Sequence, residues 1–127
     1  MNPKPQNVVI LGASDKPERY AYKAMQALIR HGHHIALVHP SLQQVEGQPV
    51  HRDLTTIPEP IDTVTLYVGP AISTGLQNEL IALNPRRVLF NPGTENSTLA
   101  DALTAAGIAH EEACTLVLLA TDSFDLP

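Results

Sequence analysis

An apolar run, Val8-Val9-Ile10-Leu11, passes without interruption into Gly12-Ala13-Ser14-Asp15-Lys16-Pro17-Glu18-Arg19-Tyr20, and a helical pattern begins around Ala21. A wholly apolar run of this length fits a strand buried on both faces, which a sheet with helices above and below provides. Where such a strand turns through small residues into a helix, unpaired backbone N–H groups and the positive end of the helix dipole face one spot. That arrangement suits a phosphate. Binding a phosphorylated small molecule is therefore the leading reading of function.

Strand-length apolar runs recur at Val8–Leu11, Ile35–Val38, Val64–Val68 and Val88–Phe90, with weaker candidates at Ile108–His110 and Thr115–Ala120. Segments with helical periodicity lie between them, and this alternation predicts a parallel sheet covered by helices. The first helix carries Ala21, Met25, Leu28 and Ile29 on one face and stops at His31-Gly32. The second follows Pro70, shows Ile72, Leu76, Leu80 and Leu83 as one stripe, and ends before Pro85. The third starts near Asn96-Ser97, turns Leu99, Ala102, Leu103 and Ala106 inward, and stops at Gly107. Ser41–Pro60, with scattered Pro, Gly and Gln, reads as a long connection holding one short helical turn near Asp53, and Met1–Gln6 as a loose lead-in.

A length of 127 residues fits a single domain over residues 1–127. The formal charge of −5, from 13 acidic and 8 basic residues, argues against nucleic acid and anionic membrane as partners. Lys16, Arg19, Lys23 and Arg30 fall in one stretch that Asp15 and Glu18 dilute, which suits a small anion better than a polyanion. One cysteine, no apolar leader and no apolar run near the roughly 18 residues of a membrane span make a cytoplasmic protein the expectation.

In an open parallel sheet, ligands bind beyond the carboxyl ends of the strands where strand order reverses. The usual doubly wound order puts the first and fourth strands side by side there. The flanking loops would then be Gly12–Tyr20 and Asn91-Pro92-Gly93-Thr94-Glu95. Gly12 and Gly93 allow close backbone approach, Ser14 and Thr94 offer hydroxyls, and Lys16 and Arg19 offer charge. His39-Pro40 and Gly69-Pro70 would line the same edge. The spacings of a P-loop and of a dinucleotide fingerprint are both absent, and the second strand ends in His39-Pro40-Ser41 rather than an acidic residue. Nucleoside triphosphates and NAD both lose ground.

Gly12-Ala13-Ser14 with Pro17, the pre-strand Gly32, His39-Pro40, the Glu46-Gly47 turn and Ile57-Pro58-x-Pro60-x-Asp62 together resemble the coenzyme A-binding domain. That domain occurs alone in small bacterial proteins and as the N-terminal domain of the succinyl-CoA synthetase α subunit. Val88–Asn96 and Ala113–Val117 look like one branch of the free-standing proteins. The resemblance implies a Rossmann-like, doubly wound α/β fold: a mostly parallel five-stranded sheet with helices on both faces. It also implies CoA or an acyl-CoA along the carboxyl edge. Gly12, Ala13, Ser14 and Pro17 would then cradle the diphosphate, with Lys16 or Arg19 neutralising it. His39 and Pro40 would lie against the adenosine, Val68, Gly69 and Pro70 would border the pantetheine, and Asn91, Pro92 and Gly93 would complete the site. The family's second strand commonly ends Asn-Pro-Lys, whereas Ser41 stands at the lysine position. Weaker discrimination between CoA and dephospho-CoA is the expected consequence, unless another cation such as Arg52 takes over.

The family's ligases carry their phosphorylated histidine and nucleotide-grasp machinery outside this domain, so ligase activity is not expected. Cys114 is the candidate nucleophile, but it precedes apolar Leu116-Val117-Leu118-Leu119 and reads as structural; in the crevice it would form a mixed disulfide with the CoA thiol. His31, His33 and His34 surround a turn and lack the spacing of a metal site. A CoA-binding module is preferred over a small enzyme acting on a CoA thioester or related nucleotide, and over a ligand-free interaction scaffold. A homodimer or a partner protein stays open.

Overall fold

The computed structural model describes residues 4–58 and 60–126. Strand β1 (Asn7–Leu11) leads through the small-residue loop to helix α1 (Tyr20–Arg30) and then strand β2 (His34–Val38). A hairpin of β3 (Gln44–Val45) and β4 (Gln48–His51) follows, then a 3₁₀ turn at Leu54–Thr56 and strand β5 (Thr63–Leu66). Helices α2 (Pro70–Gly75) and α3 (Gln77–Leu83) precede β6 (Arg87–Phe90), α4 (Ser97–Ala105), β7 (Ala109–Glu112) and α5 (Thr115–Ala120). The sheet order is β3-β4-β2-β1-β5-β6-β7, parallel throughout except for β3 against β4.

Alternate residues of the central strands feed two cores. Val8, Ile10, Leu37 and Leu89 pack with Ala21, Met25, Leu28 and Leu119 under α1 and α5. Val9, Leu11, Val64, Leu66, Val88 and Phe90 pack with Leu80, Leu83, Leu99 and Leu103 under α3 and α4. Helices thus cover both faces of a Rossmann-like sheet, and the all-apolar strand runs follow from that double burial.

The sheet has seven strands, not five. The two additional strands lie in the presumed connection Ser41–Pro60, hidden by their brevity and by Pro49, a residue that argues against a strand. Their two-residue turn, Glu46-Gly47, has φ of 49° and 78°, the left-handed pair that a tight hairpin requires. Thr115–Ala120 is a helix rather than a strand: the edge position goes to Ala109–Glu112, and the apolar run packs against α1 instead.

The helix after Pro70 breaks at Leu76, where backbone angles of −102° and 6° divide α2 from α3. Ile72 is left 58% exposed, off the buried stripe, and Ile29 is 41% exposed while Ala24 takes its place inside α1. Ala106, expected inward, is exposed just past the end of α4.

Residues 1–3 of the expected lead-in lie outside the described residues. Gln6 is anchored rather than loose. Its amide donates to His33 Nδ1 at 3.0 Å, its side-chain amide donates to Phe124 O at 3.0 Å, and its side-chain oxygen accepts from Thr63 Oγ1 at 2.7 Å. No described helix is long and apolar enough to cross a membrane.

Candidate functional site

Strand order reverses at β1, which has β2 on one side and β5 on the other. The crevice expected at such a reversal lies between the loops that leave β1 and β5. This moves one wall of the site. The fourth parallel strand in chain order is Thr63–Leu66, because β4 occupies a place in the sheet that the sequence conceals. Tyr67-Val68-Gly69-Pro70 therefore faces Gly12–Arg19 directly, and Asn91–Glu95 stands one strand farther out.

Gly12 is the pivot of this arrangement. Its φ is +96°, and a Cβ there would lie 2.8 Å from Val68 Cγ1 and 3.0 Å from the Tyr67 carbonyl carbon and oxygen. The Tyr67 amide donates to Leu11 O at 2.8 Å, so the two loops part from paired strands with no space between them. The amides of Gly12 and Ala13 both donate to Val38 O at 3.0 Å, and neither is open to a ligand.

Open donors come later in the loop. Among the described residues the amides of Ser14 and Asp15 have no acceptor. Arg19 caps α1 without a side-chain bond, which leaves the first-turn amides without a capping acceptor at the positive end of the dipole. Ser14 Oγ accepts from the Lys16 amide at 3.1 Å, and the Arg19 amide donates to Lys16 O at 3.0 Å, which folds the loop back on itself. Lys16, Pro17 and Arg19 are all exposed. The ion pair among the described residues is Arg86–Asp62 at 3.7 Å, so the charges of Lys16 and Arg19 are uncompensated at short range.

His39 and Pro40 leave β2 on the same edge. His39 Nδ1 accepts from the amides of Ser41 at 3.0 Å and Leu42 at 3.1 Å, so the neutral ring carries its proton on Nε2. Gly69 caps α2 and Pro70 occupies its first turn, both exposed, with Val68 half-buried behind them.

The loop after β6 divides into scaffold and rim. Asn91 is buried, its side-chain amide donating to Thr65 Oγ1 at 2.7 Å and Leu66 O at 2.8 Å. Its oxygen accepts from the Thr115 amide at 2.9 Å, so Asn91 joins two strands and starts α5, with no polar atom left for a ligand. Thr94 donates to Asn91 O through both its hydroxyl and its amide. The Gly93 amide donates to Glu95 Oε1 at 3.0 Å, and Pro92 and Gly93 stay exposed as rim. Asn96 Nδ2 donates to Ser73 Oγ at 2.8 Å and Thr74 Oγ1 at 2.9 Å, which ties this loop to α2. Sequence reasoning missed that tie, because nothing local links Asn96 to Ser73.

Cys114 is half-buried at the start of α5, beyond the end of β7. Burial pushes the Tyr67 phenol up to about 12, so it remains protonated and cannot act as a base near neutrality. Two concave spaces lie away from this edge. A cleft of about 610 Å³ bounded by Gln6, Asp62, Arg86 and Asp125 sits at the amino edge, and a groove of about 580 Å³ runs between the 3₁₀ turn and α3.

Comparison with known proteins agrees with the fold. Residues 6–120 match the model of a family described as the CoA binding domain. An uncharacterized protein of known crystal structure is 39% identical, with a TM-score of 0.90 over 95% of this chain and 99% of that one. A hypothetical protein from Pyrococcus horikoshii is 27% identical, with a TM-score of 0.84 over 90% of this chain and 81% of that one. A dinucleotide forming acetyl-coenzyme A synthetase from Ca. Korarchaeum cryptofilum shares the fold at 15% identity and a TM-score of 0.70, over 84% of this chain and 25% of that one.

Proposed function

The chain belongs to the CoA binding domain family, and from that premise we propose that it holds coenzyme A or an acyl-CoA across the carboxyl edge of its sheet, as a cytoplasmic binding module. The observation that carries this reading is the uncapped start of α1 beside exposed Lys16 and Arg19, at the point where strand order reverses.

The roles of the residues follow from what each has free. Gly12 and Ala13 shape the bed but give no hydrogen bond, their amides being held by Val38 O. The diphosphate lies against the amides of Ser14 and Asp15 and the first turn of α1, with Pro17 restricting the loop and Lys16 or Arg19 supplying charge. Each charge-assisted contact contributes roughly 1.5–3 kcal/mol. The adenosine rests near His39 and Pro40, the pantetheine runs along Val68, Gly69 and Pro70, and Pro92 and Gly93 border its far side. Glu95 and Cys114 stand at the ends of different strands, and no hydrogen bond joins them among the described residues. This favours binding over turnover, and a role as sensor, carrier or partner subunit.

Isothermal calorimetry with CoA, on the wild type and on Ser14→Trp, tests the reading. Among the described residues Ser14 Oγ bonds only the Lys16 amide, so the indole fills the phosphate bed while both cores, neither of which includes Ser14, are left in place. The expected result is heat of binding for the wild type and none for the variant, at an unchanged melting temperature. Failure of the wild type to bind CoA at about 1 mM overturns the proposal. So does a Ser14→Trp variant that binds as the wild type does.

A further inference from the structure

We propose that the groove of about 580 Å³ between the 3₁₀ turn and α3 is a second binding site, for a small organic ammonium ion on an apolar body, with Glu79 as its counter-ion. The groove shares no residue with the carboxyl-edge site, so the inference stands apart from the CoA reading.

One atom carries the first step. Among the described residues, Glu79 Oε2 is the buried side-chain polar atom that has no hydrogen-bond partner. A carboxylate oxygen removed from water is normally met by a donor, because its lost hydration is otherwise uncompensated. The neighbouring chain supplies no cation. From Asp53 to Pro85 there is no Lys, Arg or His, and both walls of the groove fall inside that stretch. Other carboxylates of the same stretch are already engaged. Asp62 accepts from the Asn7 amide at 2.8 Å and pairs with Arg86 at 3.7 Å, and Asp53 accepts from the Thr55 amide at 2.9 Å and from its hydroxyl. Arg52, just before the turn, is exposed and makes no ion pair among the described residues. The charge of Glu79 is left for a cation from outside.

The walls decide which cation. The connection from β4 to β5 crosses this face as one 3₁₀ turn rather than as a helix, which leaves a trough alongside α3. Glu79 and Leu83 are four residues apart and lie one above the other on the helix, facing Leu54 and Ile57 across the trough. Leu54, Ile57 and Leu83 are buried, and Ala82 is small and exposed, so an apolar floor adjoins a single carboxylate. A hard metal ion needs about six oxygen donors. The groove adds only the side chains of Thr55 and Asn78 to Glu79, and the Thr55 hydroxyl is turned to Asp53. An ammonium on an apolar body needs one ion pair and apolar cover, which is what the groove offers. A protein partner would need a broad apolar surface, about 800 Å² in a standard interface. The exposed large apolar side chains, Tyr20, Ile29, Ile72 and Val117, all lie off both walls. The volume itself falls within the range of small-molecule pockets, about 300–1,000 Å³.

Tryptamine and tryptophol, alike in size and differing in ammonium against hydroxyl, are the probes. In proton–nitrogen correlation spectra of the wild type, millimolar tryptamine is expected to shift the amides of Leu54–Ile57 and Asn78–Leu83. It should bind at least about tenfold more tightly than tryptophol, as one charge-assisted contact implies. Glu79→Gln keeps the shape, removes the charge and should bind the two probes alike. Ala82→Trp fills the groove from an exposed position and should bind neither. Because Glu79 Oε2 has no partner to lose, Glu79→Gln should melt no lower than the wild type. Equal affinity of the wild type for both probes, shifts confined to other surfaces, or a preference that survives in Glu79→Gln overturns the proposal. So does an Ala82→Trp protein that still binds tryptamine, or a Glu79→Gln protein that melts several degrees lower, which would mean that the carboxylate is satisfied within the fold.

Discussion

Replacing Gly12 with alanine should damage stability and binding together, and the structure says by how much. Two effects combine at this position. A side chain at φ +96° is outside the region L residues normally adopt, which costs about 1–3 kcal/mol. The new Cβ would also meet Val68 Cγ1 at 2.8 Å and the Tyr67 carbonyl at 3.0 Å. The valine methyl can rotate, but the Tyr67 backbone cannot retreat without breaking its 2.8 Å bond to Leu11 O. Overpacking of that kind costs typically about 1–3 kcal/mol more. Their sum, about 2–6 kcal/mol, is a large share of the 5–15 kcal/mol or so that holds a typical domain together. Gly93 and Gly69 separate the contributions. Gly93 has φ +90° with nothing within 4 Å of a Cβ, so Gly93→Ala should show strain alone. Gly69 has φ −73° and equally open space, so Gly69→Ala should stay within about 1 kcal/mol of the wild type. Urea unfolding of the three variants should rank them Gly12 worst, then Gly93, then Gly69, with CoA affinity in calorimetry falling most for Gly12→Ala. Equal losses at Gly12 and Gly93 would refute the close approach between the two loops. A Gly12→Ala protein of normal stability would refute the whole account of the pivot.

Two other consequences concern the scaffold. Burial, reinforced by the nearby His31, lowers the pKa of His33 from the ordinary 6.5. As pH falls through about 6.5 the unfolded chain therefore takes up a proton before the native state does, and stability declines from there toward the lower native pKa. Protonation of Nδ1 also removes the acceptor for the Gln6 amide; urea midpoints between pH 8 and 5 should fall for the wild type and flatten for His33→Gln. Asn91→Ala strands the Thr115 amide and Leu66 O inside the protein and should cost about 2–4 kcal/mol in urea unfolding, while the folded fraction keeps its CoA affinity. Unchanged stability with lost binding would return Asn91 to the ligand.

The parts of the fold that could be read from sequence are those whose signals are local. Val8–Leu11 followed by Gly12-Ala13-Ser14 declares a buried strand and a tight exit, and Ala21, Met25 and Leu28 declare the inner face of the next helix. Thr115–Ala120 is ambiguous for a physical reason: a threonine and five apolar residues satisfy a buried strand and a short buried helix equally. The commitments of Gly12, Ala13 and Asn91 were invisible because their acceptors and donors, at Val38, Leu66 and Thr115, come from other strands and a distant helix. A small residue at a strand end looks the same whether its amide faces a ligand or its neighbour's carbonyl.

The hairpin shows how a local omission changes a functional inference. Gln44-Val45 and Gln48–His51 are too short for alternation to register, and Pro49 argues against a strand, yet β4 adds a parallel partner beside β2. Omitting it makes Val88–Phe90 the fourth strand and puts Asn91–Glu95 opposite the Gly12–Arg19 loop. Including it brings Val68-Gly69-Pro70 to that wall and sends Asn91 into the scaffold.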